Sequence, residues 1–107
     1  MYIVDLKTEE YTEYEASSDF ETLGLAKQGE NFFVNTHKNA ELTLHPDDLQ
    51  AFKESFTRKN ILDTIKKRGV FTTHYRLMLN GEPHPATTKA ALVKENGEDK
   101  LIIGIRV

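Results

Sequence analysis

Apolar and polar residues alternate at the start of the chain. In "MYIVDL", Tyr2, Val4 and Leu6 point one way and Ile3 and Asp5 the other, the period-2 pattern of a half-buried strand. "KTEE" makes a turn and "YTEYEAS" alternates again, so the two segments read as an opening hairpin. Ser17, Ser18 and Asp19 then offer helix caps before "FETLGL", a short turn of helix ending at Gly24.

The period lengthens to that of a helix in the middle of the chain. Over Glu30 to Leu44, Phe32, Phe33, Thr36 and Ala40 fall at helical spacing and predict a helix. "HPDDLQAFKESF" predicts another. Pro46 suits a first helical position, where its missing N–H would have no partner in any case. Asp47 and Asp48 set negative charge on the positive end of the helix dipole, and Leu49, Phe52 and Phe56 form an apolar stripe. In "TRKNILDTIKKRG", Thr57 is placed to cap, Ile61, Leu62 and Ile65 line one face, and Gly69 supplies a left-handed stop.

After Gly69 the period returns to 2. Phe71, Thr73, Tyr75, Leu77 and Leu79 share one face; Thr72, His74, Arg76 and Met78 share the other. Asn80-Gly81 predicts a two-residue hairpin turn, in which both residues take positive φ. The return strand is expected over about Pro85 to Lys94, with Pro83 and Pro85 near its start, where a lost N–H is tolerated. Asn96-Gly97 lies in a second turn, and "KLIIGIRV" is the last strand, with Leu101, Ile103, Ile105 and Val107 on one side and Ile102, Gly104 and Arg106 on the other. Strands at both ends with helices between them predict an α+β domain spanning residues 1–107: a five-stranded antiparallel sheet with helices packed on one face and the last strand central.

Composition narrows the chemistry. The chain of 107 residues is 38% hydrophobic and 29% charged, the balance of a folded soluble domain, with a net charge of -3 that argues against a nucleic-acid face. "KKR" at Lys66 to Arg68 is explained as cations in the last turn of a helix. The absence of cysteine excludes disulfides, thiolate metal sites and a cysteine nucleophile, and it fits a reducing compartment. No apolar run approaches the ~20 residues that cross a bilayer, and no leader is expected at the N-terminus. A cytoplasmic location follows as the expectation. His37, His45, His74 and His84 show no i, i+4 pair of the kind that holds zinc, so no metal is expected. Asp47 and Asp48 point about 100° apart on a helix and are a helix start, not a catalytic dyad. No nucleophile elbow, phosphate loop or metalloprotease motif is present.

"HPDD" at residues 45 to 48, the helix after it, "GVFTTHYRL" at 69 to 77 and "NGE" at 80 to 82 together resemble the PAS sensor fold, over Leu44 to Val93. The hairpin "FTTHYRLMLNGEPHPATTKAALV" looks like the PAS-type domains that precede diguanylate cyclase (GGDEF) or histidine kinase modules in bacteria. A Trp often found soon after the turn in such domains is missing, and His84 stands near its place. The resemblance implies a non-enzymatic sensory or regulatory domain, cut from a longer signalling protein, that binds a small ligand or a partner and regulates a linked effector. The resemblance also implies contact with partners through the outer sheet face, and a homodimer and a signalling effector are the expected partners, with no nucleic acid and no membrane contact. No cofactor is identified. Haem in such folds takes an axial His from the helix before the meander, and Thr57 to Arg68 contains none. Cysteine-linked flavin or chromophore is excluded by composition.

Two faces of the sheet are candidate sites. The inner face gathers Phe33, Ile61, Leu62, Ile65, Phe71, Tyr75, Leu77, Thr88 and Ala90, with small residues such as Ala86 beside large ones; this pattern fits either a ligand cavity or a filled core. The outer face carries His74, Arg76, Met78 and Lys89, a mixed surface suited to a partner. The alternatives are a ligand-free dimerisation module and a small cone-shaped α+β enzyme with Tyr75 as a buried acid; no carboxylate is expected on the inner strand faces.

Overall fold

Two Asn-Gly turns set the register of the C-terminal sheet. A computed structural model describes residues 1–13 and 28–107. The strands β4 (Phe71–Leu79), β5 (Glu82–Glu95) and β6 (Glu98–Arg106) form a continuous meander. Asn80 and Gly81 have φ of 53° and 80°, and Asn96 and Gly97 have 54° and 79°, so both turns have the doubly positive backbone that matches the twist of a hairpin.

β5 is longer than the expected Pro85 to Lys94: it pairs with β4 from Glu82 opposite Leu79 to Ala90 opposite Phe71. Both prolines lie inside it, opposite Met78 and Arg76. They are tolerated because β6 pairs β5 only from Thr87 onward. The backbone N–H of Arg76 points away from β5, to Asp48. Its partner Pro85 therefore sits at a non-hydrogen-bonded position, where its nitrogen faces the unpaired side of β5.

β1 (Tyr2–Asp5) pairs antiparallel with β6, and β2 (Tyr11–Glu13) pairs with β1. The last strand is therefore central, which accounts for its nearly continuous apolar run. The sheet has six strands in the order β3-β2-β1-β6-β5-β4, one more than expected. The addition, β3, is only Gln28–Gly29 against Tyr11 and Thr12. Gly29 permits it by its lack of a side chain: a Cβ there would lie 2.6 Å from the Tyr11 hydroxyl. Two residues carry no periodicity, which is why the pattern did not announce this strand. The proposed caps Ser17, Ser18 and Asp19 and the helical turn ending at Gly24 lie outside the described residues.

Among the described residues, three helices connect the two halves: α1 (Phe32–Thr43), α2 (Pro46–Ser55) and α3 (Arg58–Arg68). α2 starts as the sequence indicates, with Pro46 in the first turn and His45 Nδ1 accepting from the Asp47 N–H at 3.1 Å. In α3 the Thr57 hydroxyl accepts from Asn60 N–H at 3.2 Å, and Gly69 closes the helix with φ of 84°. Phe32, Phe33, Phe52, Phe56, Ile61 and Ile65 of the helical region bury themselves against Tyr2, Val4, Phe71, Tyr75, Leu77, Leu101 and Ile103 of the sheet. The helices thus cover one face of the sheet. Arg58 ties α3 to the first hairpin, donating to the Leu6 carbonyl at 2.5 Å and to Glu9 Oε2 at 3.1 Å. Among the described residues, no helix is long and apolar enough to cross a membrane.

Candidate functional site

The inner face is densely occupied. Phe33, Ile61, Ile65, Phe71, Tyr75, Leu77, Thr88 and Ala90 are all buried in the core. Small residues receive large ones: Ala90 lies opposite Phe71 and Ala86 opposite Tyr75, while Phe52 stacks on Phe56 at 4.9 Å and meets the Tyr75 ring edge-on at 5.0 Å. A cleft of about 40 Å³ touches Tyr75, Leu77, Phe52 and Ala40. That is room for a water, far below the ~300 Å³ at which ligand sites begin. Leu62 departs from the other eight candidates: it is only half-buried and lines a separate surface groove with Leu6 and Leu92.

Tyr75 Oη and Thr88 Oγ1 share a buried hydrogen bond of 2.5 Å. Burial raises the phenol above its ordinary pKa, and the Thr88 contact only partly offsets this. Tyr75 therefore keeps its proton at neutral pH and has a hydroxyl partner in place.

A second polar pair was not anticipated. Tyr2 and Glu13 stand opposite each other in β1 and β2, and both Tyr2 Oη and Glu13 Oε2 are buried with no hydrogen-bond partner among the described residues. The expectation that no carboxylate enters the inner face is thereby corrected. The alternation of "YTEYEAS" places Glu13 on the same side as Tyr11, which was the available signal. Burial, reinforced by the neighbouring Glu13 carboxylate, drives the Tyr2 phenol strongly upward.

Among the described residues, no helix covers the outer face. His74 is exposed, with Nδ1 3.0 Å from the Thr87 hydroxyl. Lys89 lies opposite both Thr72 and Gly104, and Thr87 lies between His74 and Arg106. These side chains border a groove of about 530 Å³ with Gly104 and Ile105. Met78 lies further along β4, opposite Pro83, and does not border this groove.

Arg76 is also apart from the groove, because its guanidinium turns around the sheet edge to Asp48. Nε and Nη2 donate to the two carboxylate oxygens at 2.8 and 2.9 Å, and the Arg76 backbone N–H donates to the same carboxylate at 2.9 Å. His45 N–H donates to the Arg76 carbonyl at 2.9 Å, and Leu44 bridges to Leu77. The "HPDD" segment therefore closes the outer edge of β4 at this point. The Arg76 hydrogen bonds pull the Asp48 carboxyl down to about 2. Asp48 thus does more than favour a helix start: it joins α2 to the sheet.

Among the described residues, no group of three or more His, Cys, Asp or Glu side chains is arranged to hold a metal ion. Among the described residues these features define an antiparallel α+β domain with a filled inner face and an open outer one. Compared with family models, with curated proteins and with solved structures, the chain matches none.

Proposed function

We propose that the chain is a non-enzymatic regulatory module of PAS-like architecture, which controls a linked signalling effector, such as a diguanylate cyclase or a histidine kinase, through the open face of its sheet. The observation that carries this reading is the one-sided packing: helices fill the inner face, while the outer face keeps a groove bordered by His74, Lys89 and Arg106. The joining of "HPDD" to "HYR" by the Asp48–Arg76 pair supports the resemblance, since it gives those motif residues a shared structural role. Tyr75 as a catalytic acid is the weaker alternative, because its hydroxyl is buried and engaged by Thr88.

The test joins the chain to the catalytic part of a diguanylate cyclase and measures cyclic dinucleotide formation. Replacing Lys89 and Arg106 by Glu is expected to alter output several-fold, whereas Lys67→Glu on the exposed end of α3 leaves it unchanged. Output indifferent to the outer face would overturn the reading.

A second reading, small-ligand sensing, is favoured by Tyr2 and Glu13, whose buried polar atoms lack hydrogen-bond partners among the described residues. Native mass spectrometry distinguishes the two readings. A stoichiometric molecule that is lost in Glu13→Gln supports ligand sensing; a bare chain favours the interaction module.

A further inference from the structure

Three basic side chains surround one small residue on the outer face. Thr87 of β5 lies opposite His74 of β4 and Arg106 of β6, and Lys89 follows two residues along the same side of β5. At sheet spacing, His74 and Arg106 stand roughly 5 Å to either side of Thr87, and Lys89 stands roughly 7 Å along the strand. No Asp or Glu borders the groove of about 530 Å³ that these residues share. Glu95 is on the same side of β5 as Lys89 but roughly 20 Å further along. Asp48, at the β4 edge, is already held by Arg76. Among the described residues, neither Lys89 nor Arg106 has an ion-pair partner. His74 meets Thr87 through Nδ1, which leaves Nε2 for another partner. A chain of net charge -3 thus keeps basic groups from three strands together with no acid among them.

The floor of the groove is open. Gly104 lies opposite Lys89, and a Cβ there would meet nothing within 4 Å. Ile102 is the next residue on that side of β6, with Ile3 and Ala91 opposite it, and all three are half-buried. The basic end therefore passes into bare backbone and then into an aliphatic strip. The volume lies within the range of small-ligand sites, which begins at ~300 Å³.

We propose that this groove binds a phosphate monoester that carries a ring, of the nucleoside monophosphate class. The phosphate sits between His74, Lys89 and Arg106, and the ring lies over Gly104 toward Ile102. A phosphate monoester presents three acceptor oxygens and about two negative charges, which matches donors arriving from three strands. A carboxylate has two oxygens and a single charge, and leaves one of these donors unused. The Arg106 guanidinium is suited to two phosphate oxygens at once, and Lys89 acts as a point charge. The aliphatic strip offers the ring a dry surface, which free phosphate does not use. The inference adds a ligand to the open face and does not rest on the effector reading.

Amide NMR titrations of the isotope-labelled chain test it. The probes are AMP, GMP, CMP and UMP, with inorganic phosphate and the four nucleosides as the separated halves. The variants are Lys89→Gln with Arg106→Gln, Gly104→Val, and Lys67→Gln on the exposed end of α3 as control. Lys89, Arg106 and Lys67 are exposed, Gly104 does not have positive φ, and circular dichroism checks that each variant is folded. At least one monophosphate is expected to bind at least tenfold more tightly than phosphate or its own nucleoside, with the largest shifts at Thr87, Gly104 and Arg106. Its affinity is expected to fall with added salt. The double variant is expected to lose at least tenfold in affinity. Gly104→Val is expected to weaken the monophosphate by a similar factor and to leave free phosphate unchanged, because it fills the floor and keeps the charges. Lys67→Gln is expected to change nothing.

No binding of any of the four monophosphates at ~10 mM would overturn the proposal. So would binding that survives the double variant, or shifts that fall away from these three strands. Equal binding of monophosphate and free phosphate, with Gly104→Val harmless, would reduce the groove to a general anion patch and overturn the ring site.

Discussion

Asp48 concentrates three interactions on one carboxylate: two from the Arg76 guanidinium and one from the Arg76 backbone. Hydrogen bonds to a charged group are stronger than those between neutral groups, and solvent exposure weakens this set. The Asp48 pKa is lower in the folded chain than its ordinary 3.8, at about 2. Its stabilisation is therefore complete above pH ~4 and is lost as pH falls through about 2. Asp48→Asn is expected to lower the melting temperature at pH 7 and to flatten its decline between pH 4 and 2. An acid limb as steep as in wild type would show that this pair does not govern it. At the inner face, Tyr75→Phe leaves the buried Thr88 hydroxyl without its partner, and a loss of about 1–3 kcal/mol in urea unfolding is expected with the fold retained.

At the scale of elements, the β4–β5 hairpin depends on its turn. Asn80 and Gly81 both have positive φ, and a Cβ on Gly81 would meet nothing within 4 Å. The glycine is required by backbone conformation, not by space. Replacing both residues by Ala is expected to cost more than ~1 kcal/mol, because Ala is strained at positive φ. An unchanged melting curve would show that the turn readily adopts another form. On the far side of β4, the "HPDD" segment occupies the strand edge at Arg76, so one segment both starts α2 and protects the sheet.

For the whole molecule, strand order decides where stability lies. β6 is hydrogen-bonded on both sides, to β1 and β5, and its Leu101 and Ile103 are almost fully buried. Native-state hydrogen exchange is expected to be slowest at Leu101 and Ile103 and fast in β3, which has two residues and lies at the sheet edge. Exchange as slow in β3 as in β6 would contradict this hierarchy.

Sequence alone determined what acts over a few residues. Thr57 as a cap, Gly69 as a stop, Pro46 in a first turn and the two Asn-Gly turns follow from local backbone and side-chain chemistry, and the structure agrees at each of these positions. The alternation from Phe71 to Leu79 identified the buried face of β4, because successive side chains in a strand must oppose each other. Tertiary structure decided what depends on strand order and register. Arg76 meets Asp48 across 28 residues of chain, Glu13 turns inward opposite Tyr2, and Gly29 pairs with Tyr11 where a side chain would strike the Tyr11 ring. His74, Lys89 and Arg106 come from three strands and share a groove only after those strands pair. Periodicity reports which side of its own element a residue occupies; which other elements share that side is set by the pairing of distant segments.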